Sequence, residues 1–272
     1  MSAPSVLSEK QAVSSMRIHP TAIVDPKAQI GSDCYIGPYV IIGEGVTLGD
    51  RVHLDSHCVV DGRTFIGDDT RIFPFVSIGL PPQDLKFKGE ASGSEIGRRT
   101  VIREFATIHR GTSGGGGLTK IGDDSFLMAQ AHVAHDCIIG NNVIMANAAT
   151  LAGHVIVQDG ANIGAYSGVH QFCRIGREAY VGGYSVVVKD ALPFGLTVGN
   201  HAKCYGLNKV GVRRRGYSRE TIAGLHHAFH LLLSSRLNTT QAIERIREEI
   251  KGLNEVDEFV RFVETSERGV VK

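Results

Sequence analysis

From Ile18 onward an aliphatic residue returns at every sixth position, and this period constrains the fold more than any other feature of the chain. The first run is Ile18, Val24, Ile30, Ile36, Ile42, Leu48, Leu54, Val60, Ile66, Ile72 and Ile78. A short run follows at Ile96, Ile102 and Ile108, and the longest goes from Ile121 through Leu127, Val133, Ile139, Met145, Leu151, Val157, Ile163, Val169, Ile175 and Val181 to Val187. No polar residue interrupts them. Four places after each aliphatic position stands a small or short residue, as at Ala22, Cys34, Val40, Ala131, Cys137 and Ala149. A heptad would suit a coiled coil and strict alternation an ordinary sheet; a six-residue step with short β-favouring pieces suits a parallel β-helix in which each hexad is one flat face. Three faces close one coil of 18 residues, so residues i and i+18 become vertical neighbours about 4.8 Å apart.

Composition agrees. A chain of 272 residues with 42% apolar content can bury a long core, and 33 glycines suit many tight corners. A formal net charge of +1 argues against bulk nucleic-acid binding. No apolar run approaches the roughly 20 residues of a membrane span, so no membrane insertion is expected. Residues 1–17 lack the core and cleavage pattern of a signal peptide and read as an N-terminal extension, which makes the cytoplasm the default location. Cys34, Cys58, Cys137 and Cys173 occupy the small inward hexad position, where a thiol packs as a small hydrophobe. Cys137 and Cys173 share a column two coils apart, about 9.6 Å, beyond disulfide reach.

The β-helix is expected over residues 18–192, with loop insertions at 79–95 and 111–120. The glycine run 114–117 lacks the Gly-Lys-Ser/Thr ending and following helix of a phosphate loop, and reads as a flexible excursion. Residues 193–272 change to helical spacing, with Ser218 capping a helix from Arg219, a second opening at Thr239 or Thr240, and a third starting near Asn254. Between Ala191 and Arg219 there is no Asp or Glu, yet Lys203, Lys209, Arg213, Arg214, Arg215 and Arg219 are present. Such one-sided charge points to an anionic ligand or partner.

Four histidines, His132, His135, His154 and His170, converge over neighbouring coils. The column rule puts Gly153 above His135 and Gln171 above Gly153, with His154 above Asp136 and Thr150 above His132. An imidazole one strand spacing below a bare glycine amide is a general base beside a possible oxyanion donor. Zinc held by histidines is the competing reading, but the stacking fixes no third ligand, so neither a metal nor another cofactor is expected.

The segments Ala131-His132-Val133-Ala134-His135-Asp136-Cys137, Asn147 to Val155 and Val169-His170-Gln171-Phe172-Cys173 resemble those of the UDP-N-acetylglucosamine O-acyltransferases, which open lipid A biosynthesis. So do Ile108 to Thr112, Gly199-Asn200-His201-Ala202 and Arg214 to Glu220. The resemblance spans roughly residue 17 to the end. It implies a left-handed hand for the β-helix and transfer of an (R)-3-hydroxyacyl group from acyl carrier protein to the glucosamine 3-hydroxyl of UDP-N-acetylglucosamine, in a homotrimer with sites between chains. By that likeness His135 is the base, Asp136 orients it and Gly153 supplies the oxyanion amide. Because consecutive strand residues point to opposite faces, Asp136 reaches the ring only if the pair lies at a corner. Asp84, Lys86, His132, His154, His170 and Gln171 would surround sugar and acyl group, and Asn208, Arg214 and Arg215 the nucleotide. Gly183 would leave the far end of an acyl groove open to chains of about C12 to C14, by family likeness and because added bulk there would fill apolar volume. Val210 departs from the relatives, which often carry an acidic residue there near the nucleoside.

Three other functions fit less well. A hexapeptide N-acyltransferase on an amino-sugar nucleotide normally carries an extra N-terminal domain, for which coils beginning at Ile18 leave no room. A coenzyme-A acetyltransferase and a zinc-binding hydratase share the coils but not these motifs.

Overall fold

The computed structural model describes residues 17–272, so nearly all of the expected N-terminal extension lies outside the described residues. Most hexads form a two-residue strand and a corner. In Tyr35–Ile36 the first side chain points outward and the second inward; the corner Gly37 to Val40 then turns the chain onto the next face. The inward aliphatics are shut off from water, with Ile36, Leu54, Ile102, Val133 and Val181 all at 0% exposure. Burial of each such side chain is worth about 1.5–3 kcal/mol relative to leaving it in solvent. The first coil is the exception: Ile18 is 44% exposed, having a coil on one side only among the described residues.

Successive coils stack into a left-handed parallel β-helix with three faces. Face I has 11 strands beginning at Arg17–Ile18, face II has 9 beginning at Ile23–Val24, and face III has 8 beginning at Gln29–Ile30. The column rule holds within each run, as Arg17 pairs with Tyr35 and His132 with Thr150. Across the insertions the offset grows but the column survives, with Arg71 beside Val101 and Thr107 beside His132.

The corners use glycine differently from the expectation. The left-handed backbone position, fourth in the hexad, is mostly held by other residues, among them Asp33, Tyr39, Arg51, Asp136 and His154. Many glycines instead follow the aliphatic position at ordinary φ, where the next coil comes too close for a side chain: a Cβ on Gly31 would stand 2.4 Å from the carbonyl oxygen of Gly49.

After Val187 the hexads stop, but face I does not. Gly195–Val198 continues it in parallel and Lys203–Leu207 closes it with an antiparallel strand. Four helices follow: α1 (Lys209–Arg214), α2 (Arg219–Leu233), α3 (Thr239–Glu249) and α4 (Asn254–Glu264). The short α1 and the closing hairpin escape the sequence reading because neither carries a full amphipathic period. Ser218 caps α2 as expected, whereas the cap of α3 is Asn238, in a reciprocal box with Gln241. Phe194, Val212, Leu225, Phe229, Ile246 and Phe259 form a second core. Arg174 fastens it to the coils, donating to Asp190, Thr265 and the Phe262 carbonyl. Among the described residues no helix is long and apolar enough to cross a membrane.

Candidate active site

The corner between faces II and III gathers His135, Asp136, Gly153 and His154. His135 and Asp136 occupy its turn, so the strand alternation that would have kept them apart does not apply. Asp136 takes the left-handed conformation, φ 59°, which a short polar side chain tolerates. Its carboxylate, with a fully buried side chain, lies 2.8 Å from Nδ1 of His135. Because an ionised carboxylate only accepts, this contact puts the imidazole proton on Nδ1 and leaves the Nε2 lone pair free. Nε2 of His135 has no partner among the described residues.

Two further donors hold Asp136: the Thr112 N–H at 2.8 Å and the Thr112 hydroxyl at 2.6 Å. The Asp136 N–H donates to the Thr119 hydroxyl. Thr112 belongs to the second insertion, which is folded and not a free excursion: Ser113–Gly115 makes one 3-10 turn against the carboxylate. A Cβ on Gly115 would sit 2.0 Å from Cγ of Asp136, so only glycine lets that turn seal the site. These residues escaped the sequence reading because the insertion breaks the period that placed the others; no hexad phase reaches Thr112.

One coil higher, Gly153 lies against the imidazole. A Cβ there would come within 2.6 Å of Cε1 and 2.8 Å of Nε2 of His135. The backbone N–H of Gly153 donates to no acceptor among the described residues. His154, also in the left-handed conformation, stands edge-on to His135 at 5.1 Å and stacks on Phe172 at 4.5 Å. Its Nε2 is 3.9 Å from Asp136.

His135, Asp136 and His154 thus offer three ligand atoms within 4.8 Å of one another. This corrects the expectation that no third ligand would be at hand: the αL turn at 136 aims the carboxylate at both rings. The donor set nevertheless suits proton chemistry better than a cation, since both Asp136 oxygens already accept from Thr112.

His132 lies on face II below Thr150, its Nδ1 2.7 Å from the Thr107 hydroxyl. Burial pushes its pKa down. The buried His109 packs edge-on to it, and desolvation, with help from His132 and His135, takes His109 down to about 4. Both rings are therefore neutral near neutral pH. His170 and Gln171 are exposed on the next coil, where the His170 ring hydrogen-bonds only to the Gln171 carbonyl among the described residues, Nδ1 lying 3.1 Å from that oxygen.

The other candidates stand apart. Asp84 and Lys86 lie on the exposed loop between Leu80 and Gly93, joined to each other by the Lys86 N–H. Asn208 caps α1, and Arg215 pairs with Glu178 at 3.1 Å. Arg214 is exposed. A cleft of about 660 Å³ beside them is lined by Lys209, Arg213, Tyr217, Arg219 and His226, giving the basic stretch a concave surface. Gly183 is exposed at the corner between faces I and II, where a Cβ would lie 3.2 Å from the Ala165 carbonyl oxygen.

Residues 190–271 match the family model described as UDP-N-acetylglucosamine O-acyltransferase, domain 2, and residues 17–62 and 118–153 match the bacterial transferase hexapeptide model. A protein of Thermodesulfovibrio yellowstonii named acyl-[acyl-carrier-protein]--UDP-N-acetylglucosamine O-acyltransferase is 49% identical over 94% of this chain and 99% of its own. Among solved structures, LpxA of Acinetobacter baumannii superposes with a TM-score of 0.92 at 46% identity, covering 94% of this chain and 99% of that one. LpxA of Bacteroides fragilis, a UDP-N-acetylglucosamine acyltransferase, gives 0.92 at 39% identity over 94% and 100%.

Proposed function

The chain belongs to the UDP-N-acetylglucosamine O-acyltransferase family and is an acyl-[acyl-carrier-protein]--UDP-N-acetylglucosamine O-acyltransferase, and we propose that it works by direct attack with His135 as general base. The observation that carries this is one contact set: a free Nε2 on His135, its Nδ1 held by buried Asp136, and the unpartnered Gly153 amide against the same ring.

In this mechanism Nε2 takes the proton of the glucosamine 3-hydroxyl as that oxygen bonds to the thioester carbon. The resulting tetrahedral oxyanion accepts from the Gly153 N–H, an interaction worth about 3–4 kcal/mol in comparable sites. The carbonyl then re-forms, the C–S bond breaks, and the departing thiolate of the carrier takes the proton from His135. Asp136 stabilises the transient imidazolium and never needs to be protonated. No acyl-enzyme forms. His132, His154, His170 and Gln171 line the reacting end, and the donor is an (R)-3-hydroxyacyl chain whose far end meets Gly183.

The remaining assignments belong to the same reading. Residues 18–192 form the catalytic β-helix and 193–272 the domain that receives charge. Asn208, Arg214 and Arg215 hold the pyrophosphate, for which the planar guanidinium fork is suited. That role requires Arg215 to exchange Glu178 for substrate. Lys203, Lys209 and Arg213 recruit the acidic carrier protein. The working form is a cytoplasmic homotrimer, in which Asp84 and Lys86 complete a neighbouring chain's site; neither side chain contacts His135 within one chain among the described residues.

The test is turnover of acyl carrier thioester with UDP-N-acetylglucosamine, the product identified by mass spectrometry. His135→Ala should lower kcat by about 10²- to 10⁴-fold with an intact fold; full activity in that variant would refute the base assignment.

A further inference from the structure

Gly168 has no structural reason to be glycine. It stands in the strand Gly168–Val169 on face II, its backbone is not in the left-handed region, and a Cβ added there would meet nothing within 4 Å. Glycine inside a strand weakens it, and where neither strain nor crowding demands it, a ligand or another backbone commonly approaches. A β-branched residue would fit the pleat better.

The position explains what approaches. In the face II column, His132 is followed by Thr150, Gly168 and Val186. Gly168 is thus two strand spacings above His132, about 9.6 Å. Its own coil carries an exposed ring at each bounding corner, Tyr166 at 55% and Phe172 at 52% exposure. Phe172 stacks on His154, which adjoins His135; Tyr166 stacks on Tyr184, the neighbour of Gly183. A line from the reacting corner at Gly153 to Gly183, one face across and two coils up, crosses face II at the coil of Gly168. Face II at Gly168 thus lies between two stacked ring pairs, with open space above the glycine.

We propose that Gly168 is a specificity-determining residue, over which the middle of the donor's acyl chain passes between the Phe172 ring and the Tyr166–Tyr184 pair. This rests on the acyltransferase reading above. It adds that the donor is measured at two points along its length, with Gly168 the nearer to the reacting atoms.

The test compares wild-type protein, Gly168→Ala, Gly168→Val and Gly183→Met with acyl carrier thioesters of graded length. Wild-type transfer to UDP-N-acetylglucosamine establishes the activity first; its failure would overturn the underlying reading and not this inference alone. Given that activity, Gly168→Val should lower the kcat/KM ratio of long over short donors by about tenfold or more, Gly168→Ala by less. The break should fall at a shorter chain than in Gly183→Met, while KM for UDP-N-acetylglucosamine stays near the wild-type value. An unaltered length ratio in both Gly168 variants, or an equal loss with every donor accompanied by a changed oligomeric mass, would overturn the proposal; the latter would mean that another chain, not the acyl group, lies over Gly168.

Discussion

Two corners of the same prism have nearly the same backbone and opposite uses. At the corner between faces III and I, the third hexad residue donates its N–H to the side chain one coil above: Ser32 to Asp50, Asp50 to Asp68, Arg98 to Asp123, Asp123 to Asn141 and Asn141 to Asp159. At the corner between faces II and III the equivalent residues are His135 and Gly153, and above Gly153 stands Gln171, whose side chain caps nothing among the described residues. The first corner satisfies its amides to hold coils together. The second leaves them bare, and a bare amide beside an imidazole suits the oxyanion role proposed above. In the proposed mechanism the Gly153 amide, free of the cap that the amides of the first corner carry, is the oxyanion donor.

The comparison can be strained from its catalytic side first. Gly153→Ala drives a methyl into the His135 ring, which must rotate away from Asp136 or from substrate, so kcat should fall by about 100-fold or more while circular dichroism stays unchanged. Near-normal kcat would mean that the ring is free to relocate without cost. On the structural side, Asp123→Ala leaves the Arg98 N–H uncapped and removes a contact to Arg99, and should cost about 0.5–1.5 kcal/mol in denaturant unfolding with kcat unaltered. A loss of activity at full stability would erase the division between the corners. The effect confined to acid pH concerns His109. Its folded pKa near 4 lies below the ordinary 6.5, so the unfolded chain binds a proton that the folded one refuses as pH falls between those values. Its contribution to stability is therefore complete above pH 6.5 and lost toward pH 4. His109→Leu should flatten the decline of Tm over that window, and an unchanged slope would remove His109 from the acid response.

Much of this was legible without coordinates because the coil length is a ruler. Counting 18 residues from His135 reaches Gly153, and the ring does lie there. The same count put His154 over Asp136, and they are neighbours at 3.9 Å. What it could not reach came from segments outside the period. Thr112 and Gly115, which clamp and cover Asp136, sit on an insertion whose path depends on tertiary contact with the buried carboxylate. Nor did the count reveal the capped corner, since Asp50, Asp68 and Asp123 read as ordinary surface acids until the coils are stacked. The strand Lys203–Leu207 runs antiparallel, an arrangement no hexad encodes.

The central claim is that the uncapped Gly153 amide makes the transition-state contact. Gln171 stands over it in the register in which Asn141 stands over Asp123, so Gln171→Asn places a neutral side chain able to accept that N–H. With Gln171→Ala as the control for lost substrate contacts, single-turnover rates at saturating donor and acceptor isolate the capping effect. The account predicts that the Asn variant is slower than the Ala variant by about 100-fold, the cost of losing one oxyanion donor; equal rates in the two variants, with the cap seen in a crystal structure of the Asn protein, would contradict it.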